Sequence, residues 1–206
     1  MKKFTTIYVA RHGLSEGNVR GEVAGSYDTP LIKEGEEQAK KLALQLRKIQ
    51  FDAIFSSDLI RAKRTAEIVA VEKKLAVETS KMLREINFGT FEGKKETKKI
   101  IKLFDDLERL AYPQWLRHKL NEDAETIEEI IGRFITFLKE VAATYKGKTI
   151  LVVSHGTMMR SLLVHLGYAP HTKLIHGTIK NTGYVKLETD GIDFFIKETH
   201  NIKLPA

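Results

Sequence analysis

Three stretches of the chain run through consecutive apolar residues and then break into polar ones: "TIYVARHG" at residues 6–13, "AIFSSD" at 53–58 and "TILVVSHG" at 149–156. Apolar runs of this kind predict strands buried in a sheet. Between the first two, "EGEEQAKKLALQLRKI" (34–49) sets Ala39, Leu42, Ala43, Leu46 and Ile49 at helical spacing, one apolar stripe on a charged helix. Beyond the second strand the pattern predicts a helix starting near Asp58 and a short strand at "LAVET" (75–79). A long amphipathic helix follows, with Ile127, Ile130, Ile131, Phe134, Leu138, Val141 and Tyr145 on its apolar face. After His155 another helix turns Met158, Met159, Leu162, Leu163 and Leu166 to the core and stops at Gly167. The tail "GYVKLETDGIDFFIKET" reads as a hairpin turning at Asp190 and Gly191. Alternating strands and helices predict an α/β fold, a three-layer α/β/α sandwich around a mainly parallel sheet. No repeat or linker divides the chain. One domain is therefore expected over residues 1–206, with the less regular stretch 94–125 as a helical insertion or lid within it.

Composition removes several classes of chemistry. The 206 residues contain no cysteine, which excludes disulfides, thiolate-zinc sites and a cysteine nucleophile. No apolar run approaches the roughly 18 residues that span a membrane, and Arg11 interrupts the first run too early for a secretory signal. A soluble cytoplasmic protein without a membrane partner is expected. The net charge of +7 fits either nucleic acid or small anions such as phosphate esters. The densest basic stretch, "KKETKK" (94–99), contains a glutamate and no stacking aromatic residues, so it reads as a solvated helix face and no nucleic-acid partner is expected. The chain has no G-x-x-x-x-G-K-[ST] loop, G-x-G-x-x-G turn, H-E-x-x-H helix or G-x-S-x-G elbow.

Loops at the carboxyl ends of strands meet in the crevice of an open α/β sheet. That rule gathers Arg11 and His12, the segment after "AIFSSD", and Ser154 with His155. Asp58 is suited to cap the helix "DLIRAKRTAEIV", near whose start Arg61 and Thr65 lie one turn apart. A phosphate there would meet a guanidinium and a positive helix end together. The glycine-flanked loop "REINFGTFEG" (84–93) supplies Glu85 and, as a second candidate acid, Glu92. The other histidines show no ligand spacing: His165 reads as partly buried packing, and His118, His171, His176 and His200 as surface residues.

"RHGLSEGN", "SSDLIRAKRTA", "REINFGTFEG" and "VSHG", in this order and with "AGSYDTPLIKEGEEQA" between the first two, resemble the histidine phosphatase superfamily, also called phosphoglycerate mutase-like, from residue 6 to about 185. The resemblance implies that His12 is the nucleophile accepting the phosphoryl group. It implies that Arg11, Arg61 and His155 hold the phosphate and stabilise its transition state, and that Glu85 is the general acid and later the base. Asn18 resembles a secondary phosphate ligand, Gly25 lies where the family's loop approaches substrate, and Gly156 joins the binding set. Leu14 and Gly17 depart from the mutase form "RHGESEWN", which bears on substrate identity more than on catalysis. Short length, the "FGTFEG" form of the loop and an insertion without paired arginines favour hydrolysis of a small phosphorylated metabolite, with a phosphoglycerate mutase as the alternative. A non-catalytic phosphate-binding module is a lesser alternative. No metal or cofactor is implied, and either a monomer or a homodimer is compatible.

Overall fold

The computed structural model describes residues 4–204. In chain order the elements are β1 (Thr5–Arg11), α1 (Glu16–Arg20), α2 (Lys33–Gln45), β2 (Ala53–Ser57), α3 (Ile60–Lys73), β3 (Val77–Ser80), α4 (Lys98–Glu108), α5 (Tyr112–Arg117), α6 (Ile127–Thr144), β4 (Thr149–Ser154), α7 (Gly156–His165), β5 (Ile179–Thr189) and β6 (Phe194–Ile202). The six strands form one sheet in the order β3-β2-β4-β1-β5-β6. The first four are parallel, whereas β5 runs antiparallel to β1 and pairs with β6 as the expected hairpin.

The unbroken apolar runs have a direct cause: both faces of the sheet are covered. Ile7 and Val9 of β1 and Ile150 and Val152 of β4 face the core shared with α6 and α7. Tyr8, Ala10, Leu151 and Val153, one residue out of phase, face the core shared with α2 and α3. Side chains buried this completely contribute roughly 1.5–3 kcal/mol each, which is why register is well specified here. Helix α6 starts with a capping box between Thr126 and Glu129. Lys73 Nζ at the end of α3 donates to the carbonyls of Leu46, Arg47 and Ile49, tying α3 to the end of α2.

The structure corrects four expectations. Helix α2 ends at Gln45 with Leu46 as its C-cap, so Ile49 lies in the following turn, only partly buried. Asp58 does not cap α3: it precedes the N-cap residue Leu59, and its carboxylate takes both Nε and Nη2 of Arg84 at 2.7 Å. The Ile60 N–H goes instead to Asp28, 3.0 Å away. His165 is exposed, because it ends α7 on the face turned from the sheet. His171 is buried rather than on the surface: its ring stacks on Trp115 at 4.8 Å and its Nε2 meets Leu110 O at 3.0 Å.

The stretch 94–125 carries α4 and α5. Trp115 of α5 is wholly buried, and α4 contributes Ile100 to the interior. Among the described residues no helix is long and apolar enough to cross a membrane.

Candidate active site

Parallel pairing of β1 with β4 aligns Arg11 with Ser154, and the His12 N–H donates to Ser154 O at 3.1 Å. The residues just beyond each strand therefore meet: the His12 and His155 rings lie 5.1 Å apart, centroid to centroid. Both imidazoles are buried. His12 Nδ1 sits 2.6 Å from the Gly13 carbonyl oxygen. A carbonyl only accepts, so Nδ1 carries the proton and Nε2 keeps its lone pair. Burial, followed by the charges of Arg61 and Arg11, holds the His12 imidazole well below its usual range, against the opposing hydrogen bond to Gly13. His155 is shifted the same way, first by burial and then by Arg61, His12 and Arg11. Neither of its ring nitrogens has a partner among the described residues.

The start of β5, which carried no sequence signal, fixes the nucleophile candidate from behind. The His12 carbonyl accepts from Asn181 Nδ2 at 3.1 Å and from the Thr182 N–H at 3.3 Å. Thr182 holds a left-handed φ of 57°, unusual for a β-branched residue, beside an irregularity in the β5–β6 register. Arg11 Nη1 donates to Ile179 O at 2.6 Å, and its Nε has no hydrogen-bond partner among the described residues. A Cβ at Gly156 would stand 3.3 Å from that Nε, so the glycine lets the guanidinium lie against the start of α7.

Arg61 is 1% exposed. Its Nη atoms donate to the carbonyls of Tyr27 (2.9 Å), Ala24 (3.1 Å) and Gly25 (2.6 Å), so it orders the loop 24–27. Thr65, one turn on, accepts the Gly13 N–H at 3.0 Å. Burial pushes both Arg11 and Arg61 below the ordinary guanidinium value, and Glu85 opposes this in each case. Glu85 is buried at the start of α7: Oε2 accepts from the Thr157 N–H (2.9 Å) and Oε1 from the Met158 (3.1 Å) and Ile86 (3.0 Å) N–H groups. Asp28 covers the N-terminus of α3, so that helix end is not open to a phosphate as the sequence suggested.

The positioning roles of two residues escaped the sequence reading. Glu92, weighed as a second acid, accepts from the N–H groups of Ser26 (3.0 Å), Tyr27 (2.6 Å) and Phe88 (2.8 Å). It joins the Arg61 loop to the Glu85 loop and does not line the cavity. Arg133 of α6 donates to the carbonyls of Met82, Arg84 and Glu85 and pairs with Glu125 at 3.0 Å, bracing the segment that delivers Glu85. Each joins segments far apart in sequence, so no local pattern announces it.

A cavity of about 850 Å³ opens onto this constellation. Arg11, His12, Asn18, Glu85 and Gly156 line it, while Arg61, His155 and Gly25 stand behind its wall. Asn18 accepts the Ser15 N–H through Oδ1 in the cap of α1, which leaves its Nδ2 without a partner among the described residues. Leu14 and Gly17, expected to bear on substrate identity, do not line the cavity. Among the described residues no three His, Asp or Glu side chains stand together to hold a metal ion.

A model of the histidine phosphatase superfamily (branch 1) matches residues 7–202. The protein named "Uncharacterized phosphatase PhoE" from Bacillus subtilis (strain 168) is 28% identical over 186 residues, 88% of this chain and 90% of its own. The crystal structure of phosphoglycerate mutase from Bacillus anthracis superposes with a TM-score of 0.77 at 29% identity, covering 97% of this chain and 94% of that one. A phosphoserine phosphatase from Entamoeba histolytica, solved with 3-phosphoglyceric acid, superposes with a TM-score of 0.75 at 27% identity, covering 95% and 96%. The relatives thus include both phosphatases and mutases, and their shared architecture is that of this chain, which belongs to the histidine phosphatase superfamily.

Proposed function

We propose that the protein hydrolyses a small phosphate monoester through a phosphohistidine on His12, without metal or cofactor. The observation that carries this reading is the contact of His12 Nδ1 with the Gly13 carbonyl: it fixes the tautomer whose Nε2 lone pair attacks phosphorus. Burial and two neighbouring guanidinium groups keep that ring neutral and nucleophilic. In the first step the Nε2–P bond forms as the ester P–O bond breaks, and a proton on Glu85 passes to the departing oxygen. Arg11, Arg61 and His155 offset the charge on the transferring group, with Asn18 Nδ2 and the start of α7 at Gly156 on its outer side. In the second step water attacks phosphorus, the N–P bond breaks, and the proton from water returns to Glu85.

Hydrolysis is preferred to transfer onto a second hydroxyl of a phosphoglycerate because the insertion brings no pair of arginines to the cavity for a carboxylate. Of its two arginines only Arg109 lines the cavity, while Arg117 stands at the surface, 3.4 Å from Glu128. The test is an alkaline quench during turnover of a labelled ester, since a phosphoramidate survives base and is lost in acid. Label should appear on the wild-type chain at His12 and vanish, together with turnover, in His12→Ala. Label on a serine, or near-normal turnover of His12→Ala, refutes the reading.

A further inference from the structure

Beyond the phosphate pocket the cavity carries a charge balance opposite to that of the chain. The sequence has a net charge of +7, yet among the described residues no lysine lines the cavity. Apart from Glu85 and Arg11, its wall carries Glu22, Glu96, Asp105, Glu108 and Glu125 against only Arg109 and Arg160. One of the two guanidiniums is committed. Arg160, buried on α7, is paired with Glu108 of α4 and lies 5.4 Å over the Trp115 ring. Arg109 is exposed and stands only loosely beside Asp106, at 3.8 Å.

The carboxylates are less well compensated. Glu125 is held by Arg133, but Glu96 and Asp105 make no ion pair among the described residues. Glu22 meets Arg20 through Oε1 at 3.1 Å, whereas its Oε2 is buried with no hydrogen-bond partner. That oxygen lacks a donor, not an acceptor. The rest of the wall mixes polar groups, His118, His176, Thr157, Thr172 and Asn181 among them, with an apolar part led by Phe88 and Phe104, whose rings stand 5.3 Å apart.

We propose that the leaving alcohol is uncharged or cationic with an apolar body, and that esters bearing a carboxylate or a second phosphate are disfavoured. The proposal rests on the phosphatase reading above and names its substrate class. A second anion on the substrate would be stripped of water among carboxylates that outnumber the cations, with Arg109, loosely beside Asp106, as the one lining guanidinium beyond the phosphate pocket not held in a buried pair. A hydroxyl or an ammonium group finds Glu96 and Asp105, with the negative Glu22 carboxylate also on the wall, while an aryl or alkyl body covers Phe88 and Phe104.

The experiment compares benzyl phosphate with its 4-carboxy and 4-aminomethyl derivatives, whose leaving alcohols are insulated from the substituent by a methylene. His118 and His176 also line the cavity, so the comparison is run at about pH 8, above the ordinary value of a free imidazole. The carboxylated ester should have a kcat/KM at least about tenfold below the neutral one, with the ammonium ester equal to or above it. The double substitution Glu96→Gln, Asp105→Asn should compress the neutral-to-carboxylate ratio at least about threefold, as should raising ionic strength from about 0.02 to 0.5 M. A carboxylated ester that equals or exceeds the neutral one, or a ratio untouched by the double variant, overturns the proposal. If none of the three is hydrolysed, the phosphatase reading fails instead. The charge order is then decided on the same criteria by calorimetric dissociation constants for the same esters.

Discussion

Lowering pH from about 7.5 to 5.5 should destabilise the ligand-free protein through its two buried imidazoles. His12 and His155 are neutral in the fold, held well below the usual histidine range first by burial and then by Arg61 and Arg11. In the unfolded chain both titrate near 6.5, so below that pH the unfolded state binds more protons and stability falls with pH. The contribution is fully present above the unfolded value and is lost as pH drops toward the folded ones. With folded values below the window, each imidazole costs about 1.4 kcal/mol at pH 5.5 relative to 7.5, and the pair roughly 2.7 kcal/mol.

Two carboxylates lowered in the fold stay clear of this interval. Asp58, lowered by its hydrogen bonds to Arg84, and Glu129, lowered by the Thr126 N–H, titrate below it. His176 is lowered by desolvation, then by Arg11, but much of its surface is open to solvent, so its share is small. Urea unfolding at several pH values in phosphate-free buffer measures the slope, and His155→Gln should remove about half of it. A wild-type loss below about 1 kcal/mol across the window would refute the account of two neutral, charge-surrounded histidines.

Glu85→Gln should slow alkyl phosphate hydrolysis by roughly 10²–10⁴-fold and activated aryl esters much less, because a phenolate departs without protonation; equal losses across a leaving-group series would remove Glu85 from the acid role. Gly25→Ala should lower both stability and turnover, since its Cβ would stand 2.1 Å from Ile86 O and 2.3 Å from Glu92 Oε1. Overpacking of this kind costs about 1–3 kcal/mol, and the Gly25 carbonyl held by Arg61 must move with it; unchanged melting and kinetics would show that the two loops are not locked together.

The sequence alone determined the strands at β1, β2 and β4, the helices α6 and α7 and the closing hairpin, because these follow from local periodicity and from caps and turns encoded within a few residues. It also named the polar residues at the strand ends, through the order of four short motifs. What it left undecided was which polar partner each side chain finds across distant segments. Asp58 adjoins a helix start in sequence, yet Arg84 captures it and Asp28 takes the helix N–H. Glu92 stood as a second candidate acid behind Glu85, but three backbone N–H groups occupy its carboxylate behind the cavity wall, while Glu85 lies on the wall at the start of α7. His171 gave no sign that it would stack on Trp115, nor Asn181 and Thr182 that they would hold the His12 carbonyl. Periodicity shows which face of an element is buried, whereas the partner of a charged or polar side chain is chosen by sheet register and loop closure, and those emerge only when the whole chain folds.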